Sequence, residues 1–402
     1  MISVDEAVSA ILSAAAATKI EKIAIGEGAG RVLAADIVAT INQPPFRASA
    51  MDGYAVRFAD VSAGARLTVI GEAAAGSPAS RAVGRGEAVR IFTGGAVPDG
   101  ADHVVIQEDT RKDGASVVIT GDQSRQGNIR EAGIDFAINQ LLKRKGERLT
   151  AIDLGLIAAA NIAAVEVRKK PVVAYFDNGD ELKEPGENLA HGEIVGSNRF
   201  VLDALIRAWG GAPHYLGRAG DSPDAVREKY AKARGADILV TVGGASVGDH
   251  DHVRGAFADA GGVLAFSKIA VRPGKPTWFA TGPGALLVGL PGNPASALVC
   301  ARLFLAPMIE AMLSGNADAT LATVSAKLAA PFPANSAREH YLRAAITDSG
   351  AGERIAAIHA EQDSSLLSVF SLSNALVRRA ARAPALEAGA PVEALAMVRP
   401  TA

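Results

Sequence analysis

The rhythm of apolar and polar positions changes repeatedly along the 402 residues, and each change predicts a different kind of element. Val4, Ala7, Val8, Ile11 and Leu12 recur at helical spacing behind Ser3 and Glu6, which have the Ser-x-x-Glu arrangement of a capping box. A first helix is predicted here, ending near Thr18. A second is predicted from Thr150 to about Ala160, with Thr150 as N-cap and Asp153 near its positive end. Between them lie short β-rich runs, "RLTVIGEAAAG", "EAVRIFTGG", "DHVVIQED" and "ASVVITGD", separated by Gly, Pro and Asp turns. That texture predicts a compact β domain at 44–140, inserted into a split helical segment at 1–43 and 141–169.

From 170 to 320 strands and helices alternate. "PVVAYF", "DILVTV" and "LLVGL" read as buried strands. "NRFVLDALIRAW" reads as a helix closed by Gly210 and Gly211, and "SPDAVREKYAKARG" as one capped by Ser222 with Pro223 in its first turn. Alternation of this kind predicts a parallel sheet with helices on both faces, and such sheets bind ligands beyond the carboxyl ends of their strands. At 321–402 the texture returns to short strands, "ATVSAKL", "HYLRAAI", "RIAAIHA", "ALVRRA" and "PVEALAM", which predict a small C-terminal β domain. The fold class is thus multidomain α/β plus β.

Composition narrows the function classes. A formal net charge of −2 provides no basic field for nucleic acid, so a charged ligand must be held by a local site. Cys300 is the only cysteine, which excludes an internal disulfide and a thiolate metal cluster and fits a reducing compartment. The start, "MISVDEAVSA", lacks the cationic region of a signal peptide. "AIDLGLIAAANIAAV" contains Asp153 and Asn161, and "ALLVGLPGNPASALVC" is interrupted by two prolines, so no apolar run is expected to span a membrane. The expectation is a soluble cytoplasmic protein.

Candidate chemistry collects at strand ends. Asp180 and Glu181 follow "VVAYF" in "NGDELKEPGE", as a solvated turn or as site acids. In "TVGGASVGDHD", Gly243, Gly244 and Gly248 allow backbone N–H groups to approach an anion, Ser246 adds a hydroxyl, and Asp249 and Asp251 can hold Mg²⁺. In "VGLPGNPAS", Pro291, Gly292, Asn293 and Pro294 form a stiff loop. Asn293 is expected to cap the helix that Pro294 opens, making a second anion seat. The loop lacks the Gly-Lys-Ser/Thr of a nucleotide-binding P-loop. Lys268, Arg272 and Lys275 in "SKIAVRPGKPTW" supply cations, and the first two would face one side of an extended strand. His250 and His252 in "GDHDHV" have no partner at zinc-ligand spacing. Asp52, in "ASAMDGYAV" after two prolines, is either a turn residue that starts a strand or a catalytic carboxylate. Acids, glycine loops and cations suit Mg²⁺-assisted phosphoryl or anion chemistry and leave the substrate open.

"SAMDGYAV", "IFTGGAVPDGADHVV", "GDEL", "GGASVGDHD", "RPGKP" and "GLPGNPAS" stand here in one order, and in that order the chain resembles the molybdopterin molybdenumtransferase family, called MoeA and, in animals, the gephyrin E domain. The resemblance runs from the first helix to the C-terminal β domain. It implies an elongated homodimer whose protomers have a split helical domain, an inserted β domain, a molybdopterin-binding α/β domain and a C-terminal β-barrel. It implies insertion of molybdate into adenylylated molybdopterin with Mg²⁺-dependent release of AMP, in a cleft between the α/β domain of one subunit and the inserted domain of the other. By that resemblance Asp52 and Glu181 act near molybdate and metal. Asp251, with Asp249, belongs to the metal loop, and Asp180, Gly243, Gly244, Ser246 and Gly248 to the pterin phosphate seat. Lys268, Lys275, Arg272 and the Pro291–Pro294 loop would hold phosphate or molybdate. Arg343 and Ser364 would line the cleft, and Thr93 would face it from the inserted domain. Molybdopterin adenylyltransferase and molybdoenzyme-maturation proteins are the partners it suggests.

Two positions depart from the family pattern. Asp177-Asn178 replaces the usual Ser-Thr before "GDEL", exchanging a hydroxyl for a carboxylate, and "RPGKP" replaces "KPGKP", which keeps the charge and alters its geometry. Two other functions stay open at this point: an adenylyltransferase-like enzyme, whose loops are similar, and a non-catalytic scaffold like gephyrin.

Overall fold

The computed structural model describes residues 1–123, 126–244, 252–259, 261–350 and 352–397. The first helix, Val4–Ala14, begins at Ser3 with both halves of the capping box formed. It ends before Thr18, whose N–H donates to Met312 O at 3.0 Å. Its apolar stripe of Val4, Ala7 and Ile11 lies in the same core as the α/β layer. This helix therefore packs with a region far along the chain, away from the segment that holds the second helix. That helix, Ala151–Ala159, is capped by Thr150, with Asp153 closing a second capping box. Around it the split segment contains strands as well as helix. Ile20–Ala24 pairs antiparallel with Ala164–Arg168, and Ile23, Leu33, Leu149, Ile157 and Val167 form a small separate core.

The chain leaves this segment and returns to it on two adjacent arms. Ile37–Val38 pairs with Leu141–Lys143, and Ala48–Ser49 pairs with Ile129–Arg130. The arms carry a six-stranded sheet in the order His103–Ile106, Gly53–Val56, Glu87–Ile91, Arg66–Ala73, Ser116–Ile119, Thr110–Asp113. The four β-rich runs are four of these strands. Gly53–Val56 is the strand that follows Asp52, and a Cβ at Gly53 would lie 1.9 Å from Val105 O, so only glycine fits that central position.

The α/β sheet also has six strands, in the order Ala212–Ala219, Val172–Asn178, Ile238–Val242, Ala285–Leu290, Trp278–Gly282, Val263–Phe266. The first four are mutually parallel, and Trp278–Gly282 runs antiparallel to both its neighbours, which corrects the expectation of a wholly parallel sheet. The reason is local: Trp278–Gly282 and Ala285–Leu290 are joined by a tight turn at Pro283 and Gly284 (φ +89°), leaving no chain for a crossover helix.

After the turn at Pro291–Asn293 a single helix runs Pro294–Ser314, 21 residues with mean hydropathy 1.7 and 94% buried. It passes through a π-helical turn at Ala301–Leu305. The prolines precede the apolar run and do not break it as expected, so its length and composition would suffice for a membrane span. Its burial instead makes it the central core helix of the protein.

The C-terminal region closes on itself. Glu339–Asp348, Arg354–Ile358, Val324–Leu328, Pro391–Ala396 and Ala375–Arg379 form a ring that returns to Glu339–Asp348. Closure leaves none of the five with a free edge. Val271–Arg272, from the α/β side, adds a short parallel strand to Glu339 and His340.

Candidate functional site

A cleft of about 650 Å³ lies beyond the carboxyl ends of Val172–Asn178, Ile238–Val242 and Ala285–Leu290. It gathers Glu181, Gly243, Gly244, Pro291, Gly292, Asn293 and Pro294, all chosen from sequence. Gly243 and Gly244 have φ +88° and +65°, and a Cβ on Gly243 would sit 2.6 Å from Asn178 O. Glycine is thus obligatory where this loop leaves its strand. Ser246, Gly248, Asp249, His250 and Asp251 lie outside the described residues, as does the side chain of His252.

Glu181 is exposed at the cleft and folds back over Gly179, whose φ is +149°. Asp180 does not line the cleft; its carboxylate lies against Gly220 of the neighbouring loop.

The Pro291–Pro294 turn differs from expectation. Asn293 makes no capping hydrogen bond to the helix. Its Nδ2 donates instead to Ser364 Oγ at 2.9 Å, and Ala295 N–H donates to Ser364 O at 2.9 Å. Pro294 has no N–H, so the barrel loop takes the first donor this helix could offer an anion. Ser364, expected to line the cleft, is not among its lining residues; it bonds Asn293, which is, and its neighbour Ser365 lines the cleft.

Arg343 was expected to line the cleft, and it does not. Its side chain is 1% exposed and organises the loop behind Ser364. Nη1 donates to Leu366 O at 2.8 Å, Nη2 to Asp363 O at 2.9 Å, and Nε to Gln362 Oε1 at 3.3 Å. Burial lowers its pKa. It is a clamp for the loop that docks on the α/β helix.

None of Lys268, Arg272 and Lys275 lines the cleft; Pro276, beside Lys275, does. The expected continuous strand is absent. Ile269 bridges to Ile2, the chain bends at Ala270, and only Val271–Arg272 is strand, so the alternation that aligned Lys268 with Arg272 does not hold.

Asp52 and Thr93 meet each other on the inserted sheet. Asp52 Oδ1 accepts from Thr93 N at 2.7 Å and Thr93 Oγ1 at 2.8 Å. The Thr93 backbone bond, its hydroxyl bond and then Arg90 hold the Asp52 carboxyl below its ordinary range. Neither residue lines the cleft of its own chain.

Several cleft residues escaped sequence reasoning. Asn198 opens the helix Asn198–Ala208 and donates from Nδ2 to Gly292 O at 2.8 Å, tying two loops together. Leu182–Lys183 pairs in parallel with Ile194–Val195 to make a small flap over the cleft. The signal at Asn198, a polar amide where a strand-end loop becomes a helix, was visible but not distinctive. The flap carries no distinctive pattern.

Asp177 is the departure from the family pattern, and it is buried, 3% exposed, with Tyr215 Oη donating to Oδ2 at 3.1 Å. Burial raises its pKa, and the Tyr215 bond and Arg199 only partly offset this. It stands in the wall between the cleft and a second, polar pocket of about 310 Å³.

Glycine-built loops at the end of a four-strand parallel core, reached in cis by a barrel loop, define a multidomain ligand-binding α/β protein. Residues 179–311 match the probable molybdopterin binding domain, which sets the class of ligand. Residues 2–161 match the MoeA N-terminal region (domains I and II) and 325–397 the MoeA C-terminal region (domain IV). The chain is 36% identical to a molybdopterin molybdenumtransferase of Haemophilus influenzae over 79% of this chain and 78% of that one. It is 37% identical to one of Nostoc sp. over 70% of this chain and 66% of that one. A crystal structure of the molybdopterin biosynthesis MoeA protein from Pyrococcus horikosii superposes with a TM-score of 0.84 at 29% identity, covering 99% of both chains. The chain belongs to the molybdopterin molybdenumtransferase family.

Proposed function

We propose that this protein, a transferase of molybdenum cofactor biosynthesis, inserts molybdate into adenylylated molybdopterin with Mg²⁺-assisted release of AMP. The observation that carries this reading is the convergence of Glu181, the Gly243–Gly244 turn, the Pro291–Pro294 loop and the Ser364–Ser365 loop on one cleft at the strand ends. Cleaving a phosphoanhydride builds negative charge on the departing phosphate. Backbone N–H groups at a glycine turn and the cations Lys268, Arg272 and Lys275 suit that charge.

Among the described residues no group of three His, Cys, Asp or Glu side chains forms a metal cage. Mg²⁺ needs none, because it is commonly held by one or two carboxylates together with substrate phosphates. Glu181 fits that pattern, with Asp249 and Asp251 as the further candidates. When bound, the metal would neutralise phosphate charge. Asp52, fixed as an anion by Thr93, would serve the cleft of a second copy.

A homodimer is part of this reading. Its support is that neither Asp52 nor Thr93 lines the cleft of its own chain, together with the exposed apolar residues Val38, Phe46, Met51, Ile134, Ile138 and Leu141 on and beside the paired arms. The adenylyltransferase reading is not favoured because the family match extends through both flanking regions, and the scaffold reading is not favoured because the similar curated relatives are named as molybdenumtransferases.

The test is a defined assay with purified protein, adenylylated molybdopterin, molybdate and Mg²⁺, following AMP and active cofactor. Release of AMP dependent on molybdate supports the reading. A silent wild-type protein, or consumption of ATP in its place, sinks it.

A further inference from the structure

The pocket beside the cleft has an unusual shortage. Asp177, Leu182 and Gly196 belong to both cavities, so the Asp177 carboxyl stands in the wall they share. Among the described residues its only hydrogen bond is the one from Tyr215. A carboxylate accepts about four, and a buried one left short of donors is destabilising.

Two neighbouring acceptors on the cleft side are left with no donor at all. Asn178 Nδ2 donates to Asp221 Oδ1 at 2.8 Å, and Asn198 Nδ2 donates to Gly292 O at 2.8 Å. Those partners fix which way each amide points. Asn178 Oδ1 and Asn198 Oδ1 are consequently acceptors, and both are buried without a donor.

The hydrogen bonds and ion pairs of the pocket's cations go to groups other than Asp177. Arg199 pairs with Glu184 and lies over the Tyr215 ring, 5.0 Å from its centroid. Arg218 donates to Leu182 O, and Lys183 pairs with Glu193 at 3.1 Å. None of these cations donates a hydrogen bond to Asp177, although Arg199 Nε is a buried donor without a partner.

A ligand that fits is planar, uncharged and edged with adjacent N–H donors. The 2-amino-4-oxopyrimidine edge has this form: a ring N–H and an amino group side by side, spaced to meet the two oxygens of one carboxylate. Adenine presents a donor beside an acceptor and does not match an ionised carboxylate. The pterin ring of molybdopterin carries the matching edge.

We infer that Asp177 is a specificity-determining residue that receives the ring N–H and 2-amino group of the pterin in this pocket. The inference rests on molybdopterin being the substrate and deepens that reading. It also gives a chemical sense to the departure at this position, since a carboxylate offers two oxygens spaced to meet the two parallel donors and the hydroxyl of the family pattern offers one. Two donors from the ring would draw the buried carboxyl back toward its ionised form.

The experiment titrates the full chain with pterin and with lumazine, which has a 2-oxo group in place of the 2-amino group, at a pH where both rings are neutral. Wild type is expected to prefer pterin by about tenfold or more, the scale of one bidentate contact. Asp177→Asn is expected to reverse the preference, because its amide accepts from the ring N–H and donates to the 2-oxo group. A wild type that does not distinguish the two rings, or an Asp177→Asn variant that keeps the wild-type preference, overturns the inference. Cooperative thermal unfolding controls for folding. If Asp177→Asn fails that control, Asp177→Ser replaces it, with loss of the preference expected and retention overturning. AMP release is not the readout, so a silent insertion assay and a missing ring preference are separate failures.

Discussion

The corner of the inserted sheet at Asp52 and the rim of the α/β sheet at Asp177 each set an aspartate beside a strand end, in opposite states. Asp52 receives two hydrogen bonds from Thr93 and is held ionised. Asp177 receives one, is almost wholly buried, and is pushed toward its protonated form. The difference shows what each corner lacks. The first is a finished anion with no cleft of its own, and the second is an unfinished acceptor facing two cavities. One calls for a second subunit and the other for a ligand.

The strongest way to break the comparison is to remove the acids that face the reaction. Asp52→Asn and Glu181→Gln should each lower AMP release by about 10²–10³-fold. Mixing the two inactive proteins should restore about a quarter of wild-type activity, because half the dimers then contain one intact composite site. If mixing restores nothing while the variants still dimerise, the shared site is wrong.

Arg343→Met tests the contribution made in cis. It leaves three carbonyl groups and Gln362 without their donor, so urea unfolding should show a loss of about 3 kcal/mol. The KM for the adenylylated substrate should rise as the Ser364–Ser365 loop loosens.

The two aspartates should also differ in the sign of their pH dependence. The folded pKa of Asp52 is lowered, so its stabilising effect is present above the unfolded value near 4 and is lost as pH falls through the folded value. Asp52→Asn should therefore lower Tm at neutral pH, and the deficit should close in acid. The folded pKa of Asp177 is raised, so wild type is fully stable relative to a neutral variant only below the unfolded value. That relative stability is lost as pH rises through the folded value. Asp177→Ser should then raise Tm by a few degrees at neutral pH, with the gain vanishing below about pH 4. Matching signs in the two variants would contradict the assignment.

The smallest effect is expected far from both corners. Thr150→Ala removes a helix cap and should cost about 1 kcal/mol with AMP release unchanged.

How much of this was legible depended on whether a local pattern decided the outcome. The Ser3 capping box, the Thr150 N-cap and the strand-end glycines could be read because backbone geometry restricts those positions. The antiparallel edge of the α/β sheet was missed because the alternation rule overrode the turn at Pro283 and Gly284. Arg343 was misread because a matching family position cannot tell a buried clamp from a cleft-lining cation. The single bond to Asp177 and the unmet acceptors of Asn178 and Asn198 could not be read at all, since each depends on where its partners lie in space.

The paired arms beneath the inserted sheet have a kinetic meaning. Gln43 bridges to Phe136 and Val38 pairs with Leu141, so the chain departs and returns at neighbouring points. Seen from the rest of the protein, nearly a hundred residues behave as one closed loop, and loop-closure entropy grows only slowly with length. The sheet can form from its own short-range contacts before the arms join, and the remainder can fold as though the insertion were a long hairpin turn. The part expected to reach a partner subunit is thereby a separate folding unit, tethered at one base.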